Sequence, residues 1–499
     1  MSRPGGGGPR RSLILAVLAG ALVAGGLADR AARPSAVSVS PPLVAASAAA
    51  PADALSSSWF CAGATDTGGA LPGSVVIAND AGRPVEGRVT LMSSAGASRS
   101  VAVSVGRYSS LAIPESVPGA AQDWVGAVVD MEGGAVVVEQ EVDGGSVLGR
   151  SVAPCATSAS PRWYFPTGQT RVNAGEEILL LNPYATPVVA DLSFTTDHGV
   201  ETPVDLQGIT VPANGLNSID IGKALPRRSY IAATVSARSG GIVAWQSTWV
   251  TPPPVGAPLV GTPAASAPLA DPALPVPGLS VSLGAPLAAT RWAWPDGIDG
   301  GGVDEQYVVY DPSGRAADVR LSVSLAQGAA EPLSFSVGPG QVVPIVSAQQ
   351  ARIPAGVPHS ATLVSLNGVP VVAARSLTVD TGAAKGIASL LGSQHAALAW
   401  VVAAPASDPG HSGQVVVSNP GRVPEAVRIT QLDGGSIVAV PGVGPLTVPA
   451  GGRLAVTLPD GQQAPVVVRS AGPVYVEYNL AGTGSTGGVS ASMAVPLAP

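Results

Sequence analysis

The loop Asp296-Gly297-Ile298-Asp299, continued through Gly300 to Asp304-Glu305, carries four carboxylates within ten residues. Carboxylate oxygens on a Gly-rich loop are the hard donors that Ca²⁺ takes, so Asp296, Asp299, Asp304 and Glu305 are the candidate metal ligands. Their spacing does not follow an EF-hand, and a solvated loop is the simpler expectation. Gly410-His411-Ser412-Gly413 has the outline of a nucleophile elbow, which holds its serine on a strand-to-helix turn. Gln414 stands where the last glycine belongs, and the segment falls between two strand-like runs, so no catalysis is expected of Ser412. The histidines, His198, His359, His395 and His411, are scattered, and no two stand at a metal-ligand spacing. Each reads as solvated or locally bonded. Glu139, Gln246, Arg375 and Glu477 recur five residues after Gly134, Gly241, Pro370 and Gly472, but the charge changes between copies, and an outward-facing strand position is expected. These residues make up no catalytic set and require no cofactor, so a non-enzymatic protein is expected.

The elements that would position such groups repeat along the chain. A tryptophan opens an apolar run, a Gly-rich loop follows, and a second apolar run ends at an Asn or Asp. Asn79 stands 20 residues after Trp59, while Asn182, Asp311 and Asn419 each stand 19 after Trp163, Trp292 and Trp400. These eight residues mark a tandem array of four. The tryptophans are read as core anchors, and Asn-Pro or Asp-Pro as a strand stop, since proline has no N–H to continue a ladder. Behind each corner come an alternating strand, such as Val188 to Phe194, and a closing hairpin with Gly or Asn at its tip. Six or seven strands per repeat, broken by turns every 8 to 12 residues, give the expected fold class: all-β, four immunoglobulin-like β-sandwich repeats after an N-terminal hydrophobic helix.

Composition agrees with this. The chain has 499 residues, 46% hydrophobic but only 4% aromatic and 12% charged, with 62 glycines and 48 prolines. Val-rich runs punctuated by Gly and Pro suit pleated sheets, and four repeats of about 100 residues are each long enough for a separate small core. Net charge is −7 with no basic block beyond the N-terminus, which argues against a nucleic-acid partner. Lys223 and Lys385 are the only lysines.

Residues 1–33 hold a basic flank (Arg3, Arg10, Arg11) and an uncharged run from Ser12 to Ala28. This is a signal peptide or a minimal membrane anchor; no Ala-x-Ala site falls just beyond it, which favours the anchor, with everything after Ala28 outside the cell. Residues 34–58 read as an Ala/Ser/Pro stalk. Repeats are then expected over 59–157, 158–250, 278–390 and 391–499, with a Pro-rich linker over 251–277 dividing them into two pairs. Cys61 and Cys155, the only cysteines, are expected to form a disulfide in an exported protein. Closing a loop of that length contributes about 4–5 kcal/mol in the chain-entropy model.

Trp163-Tyr164-Phe165-Pro166-Thr167-Gly168, followed by Glu176 to Asn182-Pro183, resembles the YFAEG type of extracellular β-repeat. The chain as a whole, with its hydrophobic N-terminus, Trp59-Phe60-Cys61 and Ala153-Pro154-Cys155, resembles an uncharacterised family of secreted or membrane-anchored actinobacterial proteins. In repeats one and four, Cys61-Ala62-Gly63 and Val402-Ala403-Ala404 replace the aromatic motif. The resemblance implies a fold and an extracytoplasmic address and carries over no catalytic residue.

The expected function is a cell-envelope scaffold or adhesion protein, tied to the membrane by its N-terminal segment and engaging an envelope protein or glycan. The alternative is a glycan-binding array, which calls for Trp124, Trp245, Trp249 and Trp294 to stand exposed in a row.

Overall fold

Alternation of Val with small polar residues favours strands with one dry face, and unbroken Val or Leu runs favour strands that are dry on both. Both kinds are present in the computed structural model, which describes residues 47–120, 122–252, 275–326 and 328–498. The hydrophobic N-terminal run, the start of the stalk and most of the Pro-rich segment lie outside the described residues. Ala45–Pro499 is one compact unit of antiparallel sheets. Among the described residues no helix is long and apolar enough to cross a membrane.

The first strands are β1 (Ser57–Thr65), β2 (Gly73–Asn79), β3 (Val85–Ser93), β4 (Ser98–Val105), β5 (Ser109–Pro114), β6 (Trp124–Met131), β7 (Val136–Asp143) and β8 (Arg150–Pro154). They form the sheets β1-β6-β3-β4 and β5-β2-β7-β8. Next come β9 (Arg162–Phe165), β10 (Ala174–Asn182), β11 (Val188–Thr196), β12 (Gly199–Glu201), β13 (Ile209–Val211), β14 (Gly215–Asp220), β15 (Ile231–Ala237), β16 (Val243–Val250) and β17 (Gly278–Leu283). Their sheets are β9-β15-β11-β12, with β13 also on β11, and β14-β10-β16-β17.

The third set is β18 (Arg291–Trp294), β19 (Val303–Tyr310), β20 (Ala317–Leu325), β21 (Leu333–Val337), β22 (Val342–Val346), β23 (His359–Ser365), β24 (Val372–Asp380) and β25 (Lys385–Leu391). It forms β18-β23-β20-β21 and β22-β19-β24-β25. The last set is β26 (Ala397–Val402), β27 (His411–Ser418), β28 (Glu425–Leu432), β29 (Ile437–Ala439), β30 (Leu446–Val448), β31 (Arg453–Thr457), β32 (Val466–Gly482), β33 (Val489–Met493) and β34 (Val495–Pro496). Here β32 is long enough to serve both sheets, pairing β26 and β28 with its first half and β27 and β33 with its second.

Which faces are dry decides how the sheet pairs meet. In β11, Val188, Ala190 and Leu192 are buried and the residues between them are partly exposed, whereas Ile178, Leu179, Leu180 and Leu181 of β10 are all buried. Sheets of the second kind have a second apolar face to cover. Each lays it on the first strand, or the loop after that strand, of the preceding sheet pair. Ser247 Oγ of β16 donates to Gly63 O at 2.8 Å, and the hydroxyls of Ser389 and Thr167 bond at 2.6 Å. Asn479 donates to Asp296 at 2.7 Å, and Ala403 and Ala404 N–H groups donate to Glu139 of β7 at 2.9 and 2.8 Å. The last contact joins the fourth sheet pair to the first, so the head-to-tail packing closes on itself.

At the centre of this closure β8 lies beside β17 and β33, and β25 beside β17 and β33. A Cβ on Gly149, Gly278, Gly386 or Gly488 would fall within 2.3–2.5 Å of backbone atoms of the neighbouring strand or its lead-in, so only glycine fits at these four places. Two residues on, Ser151 Oγ accepts from Val281 N at 2.9 Å, Ser280 Oγ from Ser389 N at 2.9 Å, and Ser490 Oγ from Val152 N at 3.0 Å.

Several expectations are corrected by this packing. The Pro-rich segment does not divide the chain into pairs of repeats, because β17 after it hydrogen-bonds β16 before it, so the segment leaves and re-enters one sheet. The boundary expected at residue 278 therefore falls inside that sheet. The end of the stalk is docked: Ala49 is buried, its N–H donates to Pro496 O at 3.0 Å, and Ser47 Oγ donates to Cys155 O at 2.7 Å. The four separate cores are not seen either. One apolar cluster runs through the first two sheet pairs, and the cluster of the last pair takes in Val76 and Val152 of the first.

Ala388 stands where the other three central strands have serine, and Ala491 N–H is the donor that such a serine would meet. Ala388→Ser is expected to raise stability by about 1 kcal/mol, one added hydrogen bond, read as a higher urea midpoint with an unchanged m-value. A lower midpoint would refute the equivalence of the four strands.

Candidate functional site

The densest set of chemically able side chains lies where the third sheet pair meets the fourth. β19 supplies Glu305 and Tyr307, β24 supplies Arg375, β23 opens with His359, and β32 of the next sheet pair contributes Glu477. All five are at most 1% exposed. Glu305 Oε2 lies 3.0 Å from His359 Nε2 and accepts from Ser347 Oγ at 2.9 Å, while Tyr307 OH is 3.2 Å from the same imidazole nitrogen. Arg375 Nη2 donates to Glu477 Oε1 at 2.6 Å, and Asp296 N–H donates to Glu477 Oε2 at 3.3 Å. Gly297 passes so near that a Cβ there would sit 2.5 Å from His359 Nε2. The outer edge is held by Arg453, which pairs with Asp296 and donates to Pro295 O at 3.2 Å.

Burial governs the protonation of this set. It pushes Glu477 up to about 7 against the pull of Arg375. Burial also opposes charge on Arg375, but Glu477, Asp296 and Glu305 outweigh it and hold the guanidinium above its usual range. The Tyr307 phenol is raised well above 10 by burial and by Glu305, so it stays neutral. An acid, an imidazole and a phenol lie in hydrogen-bond reach of one another, and all three are sealed from solvent. The arrangement works as a lock between sheet pairs. A cleft of about 200 Å³ lies elsewhere, lined by Ser146, Pro277, Ala383, Lys385 and residues 484–487.

A related lock joins the fourth sheet pair to the first. Glu139 is 1% exposed, and burial lifts it to about 7 despite its two backbone donors. Further along the same pair of strands, Arg150 Nη1 pairs with Asp408 at 2.8 Å, and Asp408 Oδ1 lies 2.9 Å from His411 Nδ1.

The sequence-derived candidates fare unevenly. Asp296, Asp299, Asp304 and Glu305 do not converge: Asp296 pairs outward with Arg453 and Asn479, Asp299 Oδ1 accepts from Glu305 N–H, Asp304 is exposed, and Glu305 points inward. Among the described residues no group of three or more His, Cys, Asp or Glu is placed to hold a metal. His198 and His395 are exposed and His411 is bonded to Asp408 three residues before it, as expected, whereas His359 is buried and bonded to the distant Glu305 and Tyr307. His411-Ser412 begins β27 and pairs with Gly482 and Ala481, so no strand-to-helix turn exists there.

Glu139, Gln246, Arg375 and Glu477 are buried, not outward-facing, and they are not equivalent. Gln140, Gln246, Arg375 and Tyr478 each pair with the residue four before Asn79, Asn182, Asp311 and Asn419, so Glu139 and Glu477 lie one place away on the opposite face. Trp59, Trp163, Trp292 and Trp400 are buried, and the last three donate from Nε1 to Ile242, Val371 and Val474 carbonyls at 2.7–3.0 Å. Cys61 and Cys155 are joined as a disulfide. Trp245 and Trp294 are fully buried, which breaks the expected exposed row; Trp124 and Trp249 form a half-buried pair with ring centroids 6.2 Å apart.

Fold and site together define an all-β protein whose most able polar groups are spent on joining its own sheets. The chain belongs to a family of unknown function (DUF5719), matched over residues 120–406. No curated protein matches it. Among solved structures, Thermotoga maritima 1070 is 20% identical and covers 21% of this chain and 94% of its own, with a TM-score of 0.19. The Anabaena sensory rhodopsin transducer is 18% identical over 17% of this chain and 80% of its own, with a TM-score of 0.16. A mutant of the major pilin of Streptococcus pyogenes is 9% identical over 65% of this chain and 99% of its own, with a TM-score of 0.14.

Glu139 and Glu477 are raised from 4.5 to about 7, and Glu115 and Glu176 from 4.5 to about 8. Across that window the folded chain binds more protons than the unfolded one. The resulting stability is full below about pH 4.5 and is lost as pH rises through 7 to 8, at roughly 3 kcal/mol for a shift of this size. The melting temperature is therefore expected to be higher at pH 5 than at pH 8, and Glu139→Gln should flatten that slope. Equal melting at both pH values in the wild type would contradict the assignment.

Proposed function

We propose that the chain is a non-enzymatic, extracytoplasmic cell-envelope scaffold made of four immunoglobulin-like units of one design, closed head to tail. One observation carries this reading: the acid, imidazole, phenol and guanidinium set of Glu305, His359, Tyr307 and Arg375 is sealed inside and engages Glu477 of the next sheet pair. The Cys61–Cys155 disulfide supports an oxidising compartment. The basic flank and the hydrophobic run from Ser12 to Ala28 support export, with the membrane as first partner. The YFAEG-like motif at Trp163 to Gly168 fits kinship with secreted or membrane-anchored actinobacterial proteins.

In this reading the loops and the solvated faces of strands such as β3, β11 and β20 meet an envelope partner. A glycan partner is the second reading, favoured by the Trp124–Trp249 pair, whose rings remain partly accessible.

Cross-linking on intact cells, followed by mass spectrometry, is expected to join this chain to an envelope component. Links only to cytoplasmic proteins would sink the proposal. Quenching of tryptophan fluorescence by purified envelope polysaccharide, lost in Trp249→Ala, would shift the partner from protein to glycan.

A further inference from the structure

Three of the four corners use an asparagine in one way. Asn79 Nδ2 donates to the carbonyls of Arg83, Val105 and Gly106 at 2.9, 3.1 and 2.9 Å. Asn182 Nδ2 does the same to Thr186, Val211 and Pro212 at 2.8, 3.4 and 2.9 Å, and Asn419 Nδ2 to Val423, Val448 and Pro449 at 2.8, 3.2 and 3.2 Å. In each, Oδ1 accepts from the N–H two residues on. The side-chain NH₂ thus plugs a nest of three carbonyl oxygens.

The remaining corner has Asp311. Its Oδ1 keeps the same partner, accepting from Ser313 N–H at 2.8 Å. The backbone register is that of the first corner: Ala317 pairs with Val337 as Val85 pairs with Val105, at the same distances along the chain from Asp311 and Asn79. The three carbonyls that face the second side-chain atom are therefore those of Arg315, Val337 and Gly338. That atom is an oxygen without hydrogens. Asp311 is 0% exposed, and Oδ2 has no hydrogen-bond partner among the described residues. A buried carboxylate oxygen turned on three carbonyl oxygens is repulsive unless positive charge lies between them.

We propose that Asp311 Oδ2 and the carbonyl oxygens of Arg315, Val337 and Gly338 bind a hard cation, with Ca²⁺ the best match. One carboxylate with backbone carbonyls is an oxygen donor set of the kind Ca²⁺ takes, at about 2.3–2.6 Å from each ligand. Oxygens sharing a cation at about 2.4 Å, with ligand angles of about 75–90°, lie about 2.9–3.4 Å apart. The other three corners hold their side-chain atom and carbonyls at 2.8–3.4 Å, so the nest needs little adjustment. Gly314 and Arg315 are exposed beside it, which gives an entry path and room for water to complete the coordination.

The site is separate from the acidic loop at Asp296 to Glu305, and the test separates the two. Titration calorimetry with CaCl₂ on the chelator-treated protein is expected to give one site per chain, with a Kd of about 10⁻⁴–10⁻³ M as befits a single carboxylate. Thermal melting should rise by a few degrees in millimolar Ca²⁺. Asp311→Asn, which restores the amide of the other corners, should abolish the calorimetric site while melting in chelator at or above the wild type; Asp299→Asn should leave binding intact. The proposal is overturned if binding survives in Asp311→Asn. It is equally overturned if the wild type responds to none of Ca²⁺, Mg²⁺, Na⁺ and K⁺.

Discussion

The close approach of β8, β17, β25 and β33 is the constraint on which the rest of the molecule depends. Four strands can meet this tightly only where side chains vanish, at Gly149, Gly278, Gly386 and Gly488. Once they do, each sheet that carries such a strand has its outer face pressed on the preceding sheet pair and must be apolar on both sides. That explains the unbroken Val and Leu runs of β2, β10 and β27, while β3, β11 and β20, in the other sheets, keep the alternation of a surface strand. Burial of both faces of one sheet in each pair replaces the large core that a chain this poor in aromatics lacks.

The four junctions formed in this way are chemically unequal. Those following the first and second sheet pairs are sealed by apolar residues and hydroxyls, among them Ser247 to Gly63 and Thr234 to Tyr310. Those following the third and fourth carry buried carboxylates, Glu477 and Glu139, with backbone N–H groups as their shared partners. A buried acid adds little net stability, because desolvation offsets most of what its partners return, but an unmatched one is costly. Glu477 fits only over Asp296 and Arg375, and Glu139 only over Ala403 and Ala404. The polar junctions thereby specify which neighbour sits where, as the apolar ones alone would not.

Much of this was legible in the chain. The Trp-to-corner interval marked strands one and two of each set, and the cysteine pair was placed correctly, because both are local patterns or have a single partner to choose. The assembly was missed, although its signal was present: Gly149-Arg150-Ser151, Gly278-Leu279-Ser280, Gly386-Ile387-Ala388 and Gly488-Val489-Ser490 are four copies of one short motif. The second copy stands directly after the Pro-rich 251–277 segment, which separates it in the chain from the sheet it completes. Leu179-Leu180-Leu181 likewise announced a strand dry on both sides. Counted from the hairpin glycines, Gln246 and Arg375 fall one residue out of step with Glu139 and Glu477, which in a strand exchanges the two faces and mixes two buried rows of unlike charge. The lock at Arg375 was not readable, because its partner Glu477 is 102 residues away and no local pattern links them.

The pairing of Ala49 with Leu497 has a consequence for how the molecule comes into being. A linear polypeptide emerges from the ribosome or a translocon one end first, so the first sheet pair must wait, with Val76 and Val152 uncovered, until the fourth has been made. Ala49 and Leu497 then lie side by side. The point at which the chain enters this ring is in that sense a matter of genetics rather than of mechanics: with Ala49 linked to Leu497 and another surface turn opened, the same circle would be described.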